Sequence, residues 1–176
     1  MKHCIEMQIE NVMIRPLLLE EIGLLRGWRN NPENSKYLRS IPFITPEMQL
    51  KWYEKDLLDD NCMTFAIIET GKLNRIVGSM SIYNFKQDQV EVGKILVGDP
   101  EAHGFSVGTN AFRAAVKVAF DVLQKEKVVL HVFSDNISAV KSYVKAGFKI
   151  EEKHVVDGKE EYIMSIDKSE RGEEHA

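Results

Sequence analysis

A chain of 176 residues with a formal net charge of -4, from 23 basic and 27 acidic side chains, is long enough for one filled core and too short for two. It has no run of lysines or arginines to make the basic footprint of a nucleic-acid binder, and no apolar run near the ~18 residues that a membrane span needs. Cys4 and Cys62 stand outside any CxxC or Cys/His ligand spacing, so neither a disulfide framework nor a metal site is expected.

MKHCIEMQIEN lacks the apolar run of a signal peptide, and the expected location is cytoplasmic. MQIENVMIRPL alternates and predicts a first strand ending at Arg15-Pro16. Leu18, Ile22, Leu25 and Trp28 then recur at helical spacing until Asn30-Asn31-Pro32 halts the helix, and a loop is expected after it. Thr45-Pro46-Glu47 supplies a cap, a proline for the first helical position and an acid for the first turn, so TPEMQLKWYEKDLL reads as a second helix. Past 59–61 the period changes to two. MTFAIIE and RIVGSMSIYNF, joined around Gly71, and QVEVGKILV, after a polar turn at 86–88, form an antiparallel meander.

GDPEAHGFSVGTN is a glycine-bearing loop running into the helix AFRAAVKVAFDVL, where Phe112, Val116, Phe120 and Leu123 define a buried stripe. VVLHVF is a short strand, SDNISAVKSYVKAGF a capped helix stopped at Gly147, and FKIEEKHVV with EEYIMSI a hairpin across Asp157-Gly158. No repeat or linker interrupts the chain. Residues 1–168 are expected to form one α/β domain of mixed α+β type, and 169–176 a frayed tail.

A strand, a glycine-bearing loop and a helix start make a natural anion site, since unpaired amides and a partial positive charge point at whatever docks there. The loop does not read G-x-x-x-x-G-K-[ST], so it is no nucleotide-triphosphate cradle, and its glycines alone are as well read as turn residues. In the next helix, residues seven apart differ by only ~20° around the axis, so Asn136 and Tyr143 share a face with Ala139 between them. That face could admit a slender amide-bearing chain. The plainer reading makes Asn136 a helix cap and Tyr143 a core residue, although Ile137, Val140 and Val144 offer a separate apolar stripe.

The chain resembles the GNAT superfamily of acyl-CoA-dependent N-acyltransferases, most specifically in the N-x-x-A-x-x-x-Y-x-K-x-G-F run at 136–148. The resemblance implies a mostly antiparallel sheet of about seven strands and about four helices, with the fourth and fifth strands, Gln89–Val97 and VVLHVF, splayed around the pantetheine arm. It implies acetyl-CoA as co-substrate, no metal, and amides near Leu96 and Val97 that hold the thioester carbonyl, each worth ~3 kcal/mol against the developing oxyanion. The pyrophosphate would lie on the loop His103, Gly104, Phe105, Ser106, Val107, Gly108 and Thr109, with Asn136 and Ala139 beside the pantetheine. The family pattern is Q/R-x-x-G-x-G/A; His103 replaces its first residue and Ser106 its middle glycine, and serine tolerates positive φ less well than glycine.

By the same resemblance Tyr143 would hand a proton to the departing CoA sulfur, and Glu91, opposite Val90 and Val92 by alternation, would be the base or a solvent-facing carboxylate. His131 is a spare base or a structural histidine. Trp28-Arg29-Asn30 resembles the branch that acetylates amino-sugar nucleotides and its relative that acetylates ribosomal-protein N-termini. Arg29 could then pair with a diphosphate, and Trp28, Tyr37 or Trp52 could stack on an acceptor, although Trp28 and Trp52 lie on apolar helix faces and equally suit a core. The acceptor is a small-molecule amine in the first case, and a homodimer is allowed. A non-catalytic CoA sensor is the alternative that His103 and Ser106 keep open.

Overall fold

A computed structural model describes residues 3–35 and 42–171. Eight strands form one sheet in the order β1-β2-β3-β4-β5-β6-β8-β7. They are β1 (Met7–Ile9), β2 (Val12–Pro16), β3 (Cys62–Glu69), β4 (Arg75–Tyr83), β5 (Gln89–Val97), β6 (Lys127–Phe133), β7 (Lys149–Val156) and β8 (Lys159–Asp167). The helices are α1 (Ile22–Asn30), α2 (Pro32–Ser35), α3 (Pro46–Leu58), α4 (Val107–Lys117) and α5 (Ile137–Lys145). Neighbouring strands are antiparallel except β5 and β6, which run parallel. Among the described residues no helix is long and apolar enough to cross a membrane.

Alternation along β3 builds two cores. Phe65 and Ile67 join Phe112 and Phe120 in the core beneath α4 and α5, while Ala66 and Ile68 join Leu25 and Tyr53 under α1 and α3. Phe112 and Phe120 are fully buried, each contributing about 2 kcal/mol of transfer free energy. Thr45 accepts the Met48 amide at 3.3 Å and Pro46 opens α3, as their residue types require. Asp157 and Gly158 take φ of 50° and 78° in the β7–β8 turn, the left-handed pair of a two-residue hairpin.

Four local readings change. The first strand is a hairpin, because Glu10 turns left-handed at φ 50° and Asn11 leaves the ladder. Pro32 starts the single turn of α2 instead of a loop, since proline costs nothing at a first helical position. α4 begins at Val107 rather than Ala111: Val107 and Thr109 are buried, so its first turn packs on the core and Gly108 is helical. In α5 the expected stripe does not form, for Ile137 is 62% and Val144 55% exposed, while Tyr143 is the buried residue.

Candidate active site

β5 and β6 share three rungs, Gln89↔Lys127, Val90↔Val128 and Glu91↔Val129, and then part. A bulge bends β5 away. Between the pairs Ser81↔Gly93 and Ser79↔Leu96, Lys94 and Ile95 together oppose Met80, and Lys94 takes φ 51°. Gly78 lets β4 follow the bend, since a Cβ there would run into the Leu96 carbonyl oxygen. Beyond Glu91 the β6-facing edge of β5 has no strand partner among the described residues. Successive strand residues send their amides to opposite edges, so one of the Leu96 and Val97 amides faces the opening.

Directly paired residues share a face of the sheet. Cys62, Tyr83 and Glu91 form one such row, and Thr64, Ser81 and Gly93 the next, on the side of α1 and α3. Thr64 donates to Asp56 of α3 at 2.9 Å, and the Lys94 ammonium sits 4.6 Å over the Tyr83 ring and 3.7 Å from the Cys62 sulfur. From the other face α5 presents Tyr143, 6% exposed, its ring centroid 4.3 Å from that of Phe112. Burial first, and the Tyr83 phenol second, push the Tyr143 phenol above its ordinary pKa. Tyr83 stands beside Glu91 in register, on the face of the sheet opposite to Tyr143.

The loop before α4 is held from beneath. Asp99 accepts from Arg75 at 2.9 Å, and Arg75 also grips Glu101. Asn11 donates to the Phe105 carbonyl at 3.1 Å and to Glu69 at 3.1 Å, and Asn110 donates to Asn11 at 3.0 Å. The Glu69 carboxylate also takes the Leu73, Lys72 and Gly71 amides at 2.7, 2.8 and 2.9 Å. These donors, led by Leu73, hold its pKa down to about 2. Asn11, Glu69, Asp99 and Tyr83 escaped the sequence reading. An acid at a strand end before Thr70-Gly71 is the sign that the sequence offers for Glu69.

Gly104 and Ser106 adopt φ of 88° and 55°, and no side chain caps α4. The first-turn amides thus take no capping bond from Ser106, while Val107 and Thr109 are buried and His103 is exposed. Ser106 accepts a left-handed conformation without a capping bond in return. Ser106→Gly is accordingly expected to stabilise the fold by about 1 kcal/mol, raising the melting temperature by ~2–4 °C in calorimetry. A lower melting temperature would mean that the hydroxyl makes a compensating contact.

Trp28 lies in the second core with its indole against Gly98, where a Cβ would enter the ring. Asn30 bonds Ile44 twice, donating to its carbonyl and accepting its amide, both at 2.9 Å, which fixes the two ends of the 31–43 segment. Arg29 is half-buried, its pKa lowered by desolvation, with no acidic partner among the described residues. Trp52 joins the second core and Tyr37 lies outside the described residues. Asn136 caps α5 through the Ala139 amide at 3.3 Å, and His131 Nδ1 lies 3.3 Å from Glu161. Leu96 and Val97 thus lie on β5 beyond its last pair with β6, Gly104 and Ser106 lie in the loop before α4, and Tyr143 is buried against Phe112, whereas Trp28 and Asn30 are bound into structure.

A mixed sheet split at its parallel pair, followed by a glycine-bearing loop and a helix start, is the fold of the acyl-CoA-dependent N-acyltransferases. Residues 11–149 match the family described as Acetyltransferase (GNAT) domain, and the chain belongs to that family of acetyltransferases. It is 28% identical over 131 residues to the acetyltransferase PseH of Campylobacter jejuni, covering 74% of this chain and 78% of that one. It is 27% identical over 141 residues to the spermidine N(1)-acetyltransferase of Escherichia coli K12, covering 80% and 74%. The crystal structure of spermidine N-acetyltransferase from Vibrio cholerae with CoA and spermine superposes with a TM-score of 0.80 at 19% identity, over 92% of this chain and 98% of that one.

Proposed function

We propose that this acetyltransferase moves the acetyl group of acetyl-CoA to the primary amine of an amino-sugar nucleotide by direct attack in a ternary complex. The parting of β5 from β6 carries this reading, because beyond Glu91 it leaves the β6-facing edge of β5 without a strand partner among the described residues, with Glu91 on one face of the sheet and Tyr143 on the other. The pantetheine arm lies in the opening and the pyrophosphate on the amides that begin α4. An amide from Leu96 or Val97 takes the thioester oxygen as negative charge develops there.

Glu91, the last paired residue before the split, receives the amine proton directly or through water. A lysine-like amine with pKa ~10.4 is neutral in only about one molecule per few thousand at pH 7, and the electron-withdrawing oxygens of an amino sugar enlarge that fraction. The departing thiolate resembles that of cysteine, pKa ~8.5, and is a weaker base than the Tyr143 phenolate. Tyr143 therefore donates a hydrogen bond to the sulfur and keeps its proton; the proton taken from the amine finally neutralises the thiolate through solvent.

Arg29 supports a phosphate-bearing acceptor, since a half-buried guanidinium with no acidic partner among the described residues gains most from an anion. A polyamine is the second reading, favoured by the 27% identity to the spermidine enzyme of E. coli. The test follows CoA thiol release from acetyl-CoA with amino-sugar nucleotides, spermidine and N-terminal peptides, for the native chain and Arg29→Met. Turnover of an amino-sugar nucleotide is expected, with KM raised about 10–100-fold in Arg29→Met. Turnover of spermidine or a peptide alone, indifferent to Arg29, would overturn the acceptor; acetyl-CoA raising the melting temperature without any turnover would make the domain a sensor.

A further inference from the structure

We propose that His131, His154 and Glu161 form a binding site for a divalent zinc-type ion, separate from the acetyl-transfer chemistry. The residues are 23 and 7 positions apart, a spacing that matches no metal motif in the sequence. Strand register brings them together. Glu161 of β8 pairs with His154 of β7 on one side and with Phe133 of β6 on the other, and His131 stands two residues before Phe133 on the same face. The opposite face, with Leu130, Val132 and Met164, belongs to the core under α4 and α5.

Both imidazoles converge on one carboxylate oxygen. Glu161 Oε2 is 3.3 Å from His131 Nδ1 and 2.9 Å from His154 Nε2, and the three ligand atoms lie within 4.8 Å of one another. A tetrahedral zinc with bonds of ~2.0–2.2 Å sets its ligand atoms about 3.4 Å apart, a separation these distances bracket. The Glu161 side chain is 6% exposed, whereas those of His131 and His154 are 32% and 36% exposed. An ion thus enters from solvent, meets an oriented carboxylate and completes its shell with water.

In the ion-free state each neutral imidazole can give its inward N–H to the carboxylate; on binding, the inward nitrogen presents its lone pair and the outer one keeps the proton. Two imidazoles and one carboxylate select zinc, nickel or copper over magnesium and calcium. The position has a structural consequence. β6 has lost β5 beyond Val129 but stays paired with β8, and an ion at His131 would add a side-chain cross-link from that segment across β8 to β7.

The test uses the full chain carrying Cys4→Ser, so that the exposed thiol cannot compete. After dialysis against zinc chloride, elemental analysis is expected to give one zinc per chain, and zinc but not magnesium to raise the melting temperature by several degrees. His154→Ala and the double variant His131→Ala/His154→Ala should each weaken zinc binding at least tenfold, with melting in chelator confirming that they fold. A cobalt-loaded chain should show tetrahedral absorption bands without a thiolate charge-transfer band, which decides the matter even if a variant misfolds. Substoichiometric zinc, unchanged affinity in the folded double variant, or a cobalt spectrum that is octahedral or dominated by thiolate would each overturn the site.

Discussion

Tyr143→Phe is expected to lower kcat about 10²-fold while leaving the melting temperature within ~2 °C and the KM for acetyl-CoA nearly unchanged. The substitution removes one oxygen and keeps the ring against Phe112 and Phe148, so the packing that buries this position survives. What it loses is a hydrogen bond to a group that becomes charged as the thiolate leaves. Such bonds are worth about 1.5–3 kcal/mol, which corresponds to roughly 10–150-fold in rate. The loss falls on kcat because the neutral thioester sulfur of the ground state gains little from the phenol. Burial raises the Tyr143 pKa, so the phenol stays protonated past the ordinary tyrosine range, and the native pH profile should show no fall in kcat from this group below pH ~10. Normal turnover by Tyr143→Phe would remove the phenol from the mechanism, and a large fall in melting temperature would reassign it to the core.

The elements with strong periodicity were legible. Alternation in β3 to β5, the capped start of α3 and the Asp157-Gly158 turn each rest on local chemistry that the tertiary structure does not need to override. The sequence also pointed to the left-handed strain at Ser106, through the serine in place of a family glycine. Less legible was anything set by partners distant in the chain. Nothing near Asn11 or Glu69 reveals that they support Phe105 from more than thirty residues away, and nothing in VVLHVF shows that His131 meets His154 and Glu161. The apolar stripe expected on α5 failed because Ile137 and Val144 are hydrophobic by type but lie exposed, whereas Tyr143, less apolar, packs on Phe112. Burial there follows the direction of the helix face, which pattern alone left ambiguous. The acceptor segment was the least legible, since Trp28 and Asn30 serve packing and chain closure with residue types that also suit ligand recognition.

Gly78→Ala tests whether the bulge makes the site. A methyl group at 78 would run into the Leu96 carbonyl oxygen and crowd the Val97 backbone, atoms that cannot swing aside as a side chain would. Overpacking of this kind costs about 1–3 kcal/mol, so the melting temperature should fall by roughly 2–12 °C. The functional effect should exceed what the folded fraction explains. If β5 shifts by a few tenths of an ångström to relieve the contact, the unpaired amide at Leu96 or Val97 moves from the line of the thioester oxygen. Losing one such donor is worth ~3 kcal/mol, so kcat/KM for the folded protein should drop about 10²-fold. Gly23→Ala is the matched control: its added methyl meets nothing within 4 Å, and alanine favours a helix by about 1 kcal/mol over glycine. A folded Gly78→Ala chain with native kcat/KM would show that the carbonyl is held somewhere other than at the bend of β5. The parted strands would then bind the pantetheine arm without contributing to the chemistry.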